Sequence, residues 1–198
     1  MAGIAIRPEI FYNIAGVCWG TFVAAWVLGA AYNAWRSPKA IGGASSWNLP
    51  RALLAGLALV VASRVLPRTA WSDVLFWNVY VAIAGAVLLV LSTVFALWAR
   101  ITLGRMWSYV PEVREHHELV TSGPYRTTRH PIYTSILGML LGSAMMWGFG
   151  PFLLLVIGFG VVFAYRIPRE EKLMTETFGE QYVKYQSEVP RLVPFFRH

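Results

Sequence analysis

The chain has 198 residues, of which 57% are hydrophobic and only 14% are charged, and its net charge at pH 7 is +7. A soluble domain carries roughly 25% charged residues, so the composition excludes an ordinary water-soluble fold and indicates a single membrane-embedded domain over residues 1–198. In such a protein the positive charge reflects Lys and Arg in cytoplasmic loops, and because no basic and aromatic recognition module is found, nucleic acid is not expected as a partner.

Residues 1–98 contain the N-terminal membrane spans. Ile10–Tyr32 has no charged residue and is long enough to cross a bilayer. Trp71–Trp98 is predicted to be another long span. Between them, Leu49–Leu66 crosses only if Arg51 and Arg64 extend to the membrane surface.

Residues 99–198 contain a predicted helical hairpin and a polar tail. Pro131–Trp147 and Pro151–Ile167 are apolar and are separated by a short glycine-rich segment, which predicts a tight turn. Glu170–Phe196 is amphipathic and is predicted to form a cytoplasmic helix against the membrane face, with a break at Gly179.

The resulting fold prediction is an all-α integral membrane protein of about five transmembrane helices with a cytoplasmic C-terminal helix. Lys and Arg are concentrated before and after the hairpin and are absent from its turn, so both flanks are placed in the cytoplasm. The N-terminus then lies outside and the C-terminus inside. Four spans, with Leu49–Leu66 lying in the interface, remain an alternative.

Cysteine and histidine do not predict a metal site. The single cysteine, Cys18, excludes an internal disulfide and a cysteine-based zinc cluster, and we expect it to fill the hydrophobic core. His116 and His117 stand among glutamates, but neighbouring histidines on a helix point in different directions, so a solvated loop is the better interpretation.

Two polar clusters flank the hairpin. Residues 122–133 precede it and residues 166–173 follow it. A hairpin brings both clusters to one membrane face, where ionisable groups are costly and are therefore candidates for function. The sequence thus predicts a site at the boundary between lipid and water.

Several side chains in these clusters have both a structural and a functional interpretation. Arg126 and Arg129 each suit a phosphate-binding boundary position. His130 precedes Pro131, which disfavours a helical backbone at the histidine and places it at the mouth of the helix. Tyr125 is typical of an aromatic belt.

The positive-inside tendency concerns Lys and Arg, so it does not explain the paired acids Glu170 and Glu171. Either they stabilise the start of a tail helix, or one of them binds a cationic or amino-bearing ligand. Arg166 and Arg169 are able to pair with them or to bind a carboxylate through two nitrogens.

Four motifs follow one another in this half of the chain: Gly123-Pro124-Tyr125-Arg126, Arg129-His130-Pro131-Ile132-Tyr133, Arg166-Ile167-Pro168-Arg169-Glu170-Glu171 and Phe178-Gly179-Glu180-Gln181-Tyr182. Their order and spacing resemble the isoprenylcysteine carboxyl methyltransferase family, which shares its histidine–proline and paired-glutamate core with phospholipid N-methyltransferases. The resemblance runs from Leu103 to Pro194. It also extends to prokaryotic members, which implies a prokaryotic plasma membrane.

The resemblance implies S-adenosylmethionine as cofactor, bound from the cytoplasm, and a membrane-dissolved acceptor. Arg129 and His130 are expected at the cofactor carboxylate, Glu170 or Glu171 at its amino group or ribose, and tyrosines at the adenine or sulfonium. The implied cofactor-binding residues are His117, Leu119, Val120, Tyr125, Arg129, His130, Pro131, Tyr133, Glu170, Glu171 and Tyr182. The implied catalytic residues are Arg166, Glu170 and Glu171, and no metal is expected.

The expected activity is methyl transfer to a lipophilic acceptor, foremost a carboxylate such as that of a prenylated cysteine. A carboxylate needs no general base, and Arg166 would position it. A phospholipid amine or a small thiol would need Glu170 or Glu171 as base. A reductase using NADPH, similar to sterol reductases, is an alternative from another class.

Overall fold

The computed structural model describes residues 8–36, 40–43, 77–104, 112–114, 119–150 and 152–193. Most of these residues are helical. The helices are α1 (Pro8–Arg36), α2 (Val79–Leu103), a 3-10 helix (Gly123–Arg126), α3 (Pro131–Trp147), α4 (Phe152–Phe178) and α5 (Glu180–Glu188). The predicted doubtful span Leu49–Leu66 and the predicted site residue His117 lie outside the described residues.

Three of the helices are long and apolar enough to cross a membrane, and they correspond to α1, α2 and α4. The fourth apolar helix, α3, has 17 residues, which gives a length of about 25 Å against a hydrocarbon thickness of about 30 Å. The chain is therefore a mostly helical integral membrane protein. The predicted span Ile10–Tyr32 lies within α1, whereas the predicted count of five is not established by the helices that the structure describes.

The predicted span Trp71–Trp98 begins too early. Trp77 and Asn78 are not helical, and α2 starts at Val79. The side chain of Asn78 accepts a hydrogen bond from the backbone N–H of Tyr80 at 2.9 Å, which satisfies one of the free donors of the first turn. This polar cap, which hydropathy does not register, fixes the start of the helix.

The helix that contains most of the predicted span Pro151–Ile167 runs on beyond it, because Pro168 lies inside α4 and the helix continues to Phe178. A proline removes one backbone hydrogen bond but does not have to end a helix when neighbouring groups hold the backbone on both sides. Gly179 has a φ of +54°, and α5 starts after it. The break at Gly179 is thus confirmed, whereas the predicted start of the tail helix at Glu170 is wrong.

Helices α2 and α3 approach each other closely at a pair of glycines. A Cβ atom added to Gly142 would lie 2.6 Å from the carbonyl oxygen of Gly85, and one added to Gly85 would lie 2.6 Å from the carbonyl oxygen of Gly142. Small residues permit such backbone contact between membrane helices. The contact between these two glycines was not predicted from the sequence.

A hydrophobic cluster joins α1, α2 and α3. Its buried members are Phe11, Ala15, Cys18, Ala82, Ala86, Leu89, Met139 and Met146. The indole N–H of Trp19 in α1 donates to Ser143 Oγ in α3 at 3.1 Å and ties the two helices together. The prediction that Cys18 fills the core is confirmed, since its side chain is buried in this cluster.

The turn between α3 and α4 is as tight as predicted. Gly148, Phe149 and Gly150 all have positive φ angles, and the backbone N–H of Phe152 donates to the carbonyl of Phe149 at 3.0 Å. The chain therefore reverses direction within a few residues. The start of α3 and the middle of α4, around Pro168, lie equally far from the turn and consequently at one level.

A two-stranded antiparallel sheet lies outside this helical framework. Strand β1 (Ala40–Gly43) pairs with β2 (Glu112–Arg114), with Ala40 opposite Arg114 and Gly43 opposite Glu112. The all-α fold prediction did not include this short sheet. Hydropathy gave no signal for it, because strands of this length contain too few residues to show a period.

We predict that Gly142→Ala lowers the free energy of unfolding by about 1–3 kcal/mol, because the new methyl group has to push α2 and α3 apart. Thermal unfolding of the detergent-purified protein measures this. Gly160→Ala in α4 is the matched control: a Cβ there meets nothing within 4 Å, so its stability should be unchanged or slightly raised. Equal melting temperatures for the two variants would contradict the proposed glycine contact.

Candidate functional site

The two predicted polar clusters meet where α3 begins, and Glu171 is at their centre. Its side chain is almost completely buried, at 5% exposure. Arg129 Nε donates to Glu171 Oε1 at 2.9 Å, and Arg191 Nη2 donates to Oε2 at 2.8 Å. A buried carboxylate is tolerated only when cations or donors surround it, and Glu171 meets this condition.

Glu170, the neighbouring residue, faces a different set of partners. The hydroxyl of Tyr133 donates to Glu170 Oε1 at 2.5 Å, and Arg166 Nε donates to the same oxygen at 2.7 Å. Because consecutive helical residues point in different directions, the two carboxylates occupy separate environments. Glu170 belongs with Arg166 and Tyr133, whereas Glu171 belongs with Arg129 and Arg191.

His130 lies between the two carboxylates. Its Nε2 is 3.2 Å from Glu171 Oε1, and its Nδ1 is 3.8 Å from Glu170 Oε2. The position follows from the local sequence, since Pro131 is the first residue of α3 and His130 precedes the helix with a non-helical backbone. The histidine thus links two acids that the chain places on different sides of α4.

Aromatic rings extend the site toward the apolar interior. The rings of His130 and Tyr133 are nearly parallel with centroids 5.6 Å apart, and Tyr133 stacks on Phe163 of α4 at 4.3 Å. The guanidinium of Arg166 lies 6.0 Å from the centre of the Tyr133 ring. A continuous wall therefore runs from the ionised groups to the apolar part of the hairpin.

The segment after α5, residues 189–192, crosses the start of α3, and we call it the C-terminal strap. The backbone N–H groups of Arg129 and His130 donate to the carbonyls of Pro190 and Arg191 at 2.9 and 3.2 Å. The hydroxyl of Thr128 donates to the carbonyl of Arg191 at 2.9 Å. The strap thereby satisfies donors that the first turn of a helix leaves free.

Arg129 also fastens this strap through its side chain. Its Nη1 donates to the carbonyl oxygens of Gln186 and Val189 at 2.6 and 2.9 Å, while its Nε bonds Glu171. The guanidinium is therefore engaged by the protein itself. Its predicted contact with a cofactor carboxylate remains a prediction, and the structure gives Arg129 a different task, which is to join α3, α4 and the strap.

A group of tyrosines packs beside the strap. Tyr182 and Tyr185 of α5 are buried with Val189, and Leu119 packs against this cluster. The hydroxyl of Tyr185 donates to the carbonyl of Tyr125 at 2.5 Å. Burial raises the pKa of Tyr125, Tyr182 and Tyr185 above the ordinary value, so their hydroxyl groups stay neutral far above physiological pH.

A cavity of about 360 Å³ borders this arrangement. It lies between α4, α5 and the strap, and its lining includes Glu171, Lys172, Gln186 and Arg191. Glu171 is thus the point at which the buried ionised cluster reaches an open space.

The remaining predicted residues fall into three groups. Leu119 and Val120 are half-buried in the segment before the 3-10 helix, and Pro131 is buried at the start of α3. Arg169 lies apart from the two acids, with its guanidinium 3.4 Å from the centre of the exposed Tyr165 ring. The alternative that Arg169 pairs with the acids is therefore not seen, whereas the pairing of Arg166 with Glu170 is.

Sequence reasoning missed Arg191 and the carbonyl groups of the strap. Arg191 is separated from Glu171 by 20 positions and stands in a polar tail between two prolines. No periodicity connects it to the acids. The sequence offered one indication of this contact: Pro190 disfavours a helix at the residue before it, so α5 has to end there and the chain can change direction.

The comparison with protein families gives one match in this region. The family described as phospholipid methyltransferase matches residues 80–181, more than half of the chain. The matched range includes α2, the hairpin, both acids and the start of α5.

Two curated relatives with different names are similar to the same part of the chain. Protein-S-isoprenylcysteine O-methyltransferase B of Arabidopsis thaliana is 39% identical over 117 residues, which are 56% of this chain and 58% of the relative. The cobalt-zinc-cadmium resistance protein CzcN of Cupriavidus metallidurans is 32% identical over 96 residues, which are 47% of this chain and 44% of the relative. The matched region thus covers about half the length of these relatives.

A solved structure shares the fold. The eukaryotic intramembrane Ras methyltransferase ICMT superposes with a TM-score of 0.60 and 24% sequence identity, over 75% of this chain and 53% of the solved one. At this identity the match concerns the arrangement of helices.

We predict that Arg129→Ala lowers the free energy of unfolding by about 3–5 kcal/mol, because it leaves the buried Glu171 without its buried cation and removes one bond to the end of α5 and one to the strap. Arg126→Ala is the matched control, since Arg126 lies in the same segment with an exposed side chain. Its melting temperature should equal that of the wild type. Similar losses in both variants would show that the effect is not specific to the Glu171 pair.

Proposed function

The chain belongs to the phospholipid methyltransferase family, and from this premise we propose that it is an integral-membrane enzyme that transfers the methyl group of S-adenosylmethionine to a lipophilic acceptor. One observation carries the proposal: two carboxylates with separate cationic partners lie at the mouth of an apolar hairpin, and one of them borders a cavity. This arrangement offers one polar region to a cofactor and a second one to an acceptor.

The donor set fits the chemistry of the cofactor. Its ammonium group needs a carboxylate, which Glu171 supplies at the cavity wall. Its adenine needs apolar and aromatic neighbours, for which Leu119 and Tyr182 are available, and a sulfonium is attracted to aromatic faces such as those of Tyr125 and Tyr133. When bound, the cofactor supplies an electrophilic methyl group.

Arg129 acts indirectly in this proposal. Its nitrogens hold Glu171 and the C-terminal strap, so it keeps the carboxylate in place without touching the ligand. His130 lies against both acids and aligns them with each other. Methyl transfer demands this kind of alignment and the exclusion of water more than it demands acid or base catalysis.

We propose a carboxylate as the methyl acceptor, specifically that of a prenylated cysteine. The first support is the similarity to protein-S-isoprenylcysteine O-methyltransferase B of Arabidopsis thaliana. The second is Arg166, a cation at the apolar end of the site that is only partly buried and that pairs with Glu170. Arg166 is suited to orient an incoming carboxylate through two nitrogens, and a carboxylate needs no base because it is already deprotonated.

A phospholipid amine is a second candidate, favoured by the family that the chain matches. An amine has to lose a proton during methylation, and Glu170 is the acid beside Arg166 that would accept it. The two candidates therefore assign different roles to Glu170: a partner of Arg166 in the first case and a base in the second.

Ligand binding tests the cofactor, and product analysis tests the acceptor. Calorimetry on the detergent-purified protein should show saturable binding of S-adenosylmethionine and S-adenosylhomocysteine and none of NADPH. With radiolabelled methyl donor, a small prenylcysteine with a free carboxylate should yield a base-labile methyl ester. Label in phosphatidylethanolamine would favour the amine candidate, and binding of NADPH alone would overturn the proposal in favour of a reductase.

We predict that Glu171→Gln weakens S-adenosylhomocysteine binding by roughly 10- to 100-fold, the loss that corresponds to one charge-assisted hydrogen bond. The amide keeps the size of the side chain and limits the loss of stability. His130→Ala should also weaken binding. Unchanged affinity in both variants, measured by calorimetry, would remove these residues from the cofactor site.

We further predict that Arg166→Ala leaves S-adenosylhomocysteine affinity unchanged and lowers kcat roughly 10- to 100-fold, because it removes the cation that orients the acceptor. Steady-state kinetics and calorimetry on the same preparation measure the two effects. Arg169→Ala is the control, since Arg169 stacks on Tyr165 away from both acids. Loss of cofactor binding in Arg166→Ala would contradict the separation of the two regions.

A further inference from the structure

The partners of Glu171 differ sharply in exposure. The side chains of Arg129 and His130 are both 9% exposed, whereas that of Arg191 is 52% exposed. Two partners are therefore fixed within the protein, and the third reaches solvent. Because the Arg191 end of this ion pair is open to solvent, the pair contributes less to stability than a fully buried one and exchanges more readily.

The side chain of Arg191 is also free to move without disturbing the strap. Within the part of the chain that the structure describes, its guanidinium hydrogen-bonds only to Glu171, with Nη2 at 2.8 Å from Oε2 and Nε at 3.4 Å from Oε1. The strap is held instead by the main-chain carbonyl of Arg191, which accepts from His130 and Thr128. Arg129 has no such freedom, because its Nη1 bonds two carbonyls of the strap region.

The cavity lies on the side of Glu171 that Arg191 covers. Both residues line it, together with Lys172 and Gln186. Glu170 is not among its lining residues, and its Oε1 is held by Tyr133 and Arg166. A ligand that enters the cavity therefore meets Glu171, and it reaches Oε2 only after the Arg191 guanidinium has moved.

We propose that Arg191 is a displaceable partner of Glu171: the ammonium group of the cofactor replaces the Arg191 guanidinium at Glu171 Oε2. The inference rests on the proposed function, and it assigns the cofactor's amino group to Glu171 and not to Glu170. Arg191 supplies a second cation, beside Arg129, to the buried carboxylate when no ligand is present. An amino-bearing ligand therefore binds with a net free energy that is reduced by the cost of breaking the ion pair between Arg191 and Glu171.

The test compares two ligands that differ in the amino-acid group. S-adenosylhomocysteine carries the ammonium together with a carboxylate, whereas 5′-methylthioadenosine has the same nucleoside and thioether without either charged group. In Arg191→Gln we expect S-adenosylhomocysteine to bind roughly two- to fivefold more tightly than in the wild type, the range of an exposed ion pair. The affinity of 5′-methylthioadenosine should remain unchanged, because this ligand does not compete with Arg191.

Two further variants make the result specific. Arg191→Lys keeps the positive charge but cannot contact both carboxylate oxygens, so its affinity for S-adenosylhomocysteine should lie between those of the wild type and Arg191→Gln. If thermal unfolding shows that Arg191→Gln is not folded, the affinity of Arg191→Lys alone tests the displacement. Arg169→Gln, the change of an exposed arginine elsewhere on α4, should alter neither ligand's affinity.

The outcomes separate this inference from the proposed function. If wild-type protein binds neither ligand, the proposed function fails. If wild-type protein binds S-adenosylhomocysteine and its affinity falls or stays constant in both Arg191 variants, the displacement is refuted and the function stands. Equal changes for both ligands would also refute it, because a general loosening of the strap does not distinguish an ammonium group.

Discussion

The buried ion pair between Arg129 and Glu171 is the interaction on which the rest of the site depends. Glu171 carries a negative charge in a place with almost no access to water, and such a charge persists only with a cation beside it. Arg129 supplies that cation and uses its remaining donors on the end of α5 and the strap. One guanidinium thus joins three segments that are far apart in the sequence.

The hairpin determines where this pair is formed. Its tight turn makes α3 and α4 run side by side, and its two halves bring His130 and the paired acids to one level. The close glycine contact of α2 with α3 holds the hairpin against the N-terminal helices. Packing among the apolar helices therefore fixes the positions of the ionised groups, which gives the candidate site the rigidity of a helix bundle.

The two acids illustrate how one dipeptide serves two environments. Glu170 and Glu171 are neighbours on α4, yet one faces Tyr133 and Arg166 and the other faces Arg129 and Arg191. A helix turns by about 100° per residue, so adjacent side chains diverge. His130 reaches both because it lies just before a helix and has a backbone that is not helical. In the proposed function these environments correspond to the acceptor and the cofactor.

The sequence by itself determined the membrane class, the hairpin, the break at Gly179 and the meeting of the two polar clusters, because hydrophobic length, glycine conformation and chain reversal are local properties. It did not show that α2 starts at Val79 or that α4 continues through Pro168, since the Asn78 cap and the passage through the proline depend on hydrogen bonds and contacts that hydropathy does not contain. Only the tertiary structure decided which acid pairs with which arginine. It also showed that Arg129 hydrogen-bonds to the C-terminal strap. Arg191 could not be predicted from the sequence, because its approach to Glu171 requires α5 and the strap to fold back over α3, and no local pattern records that path.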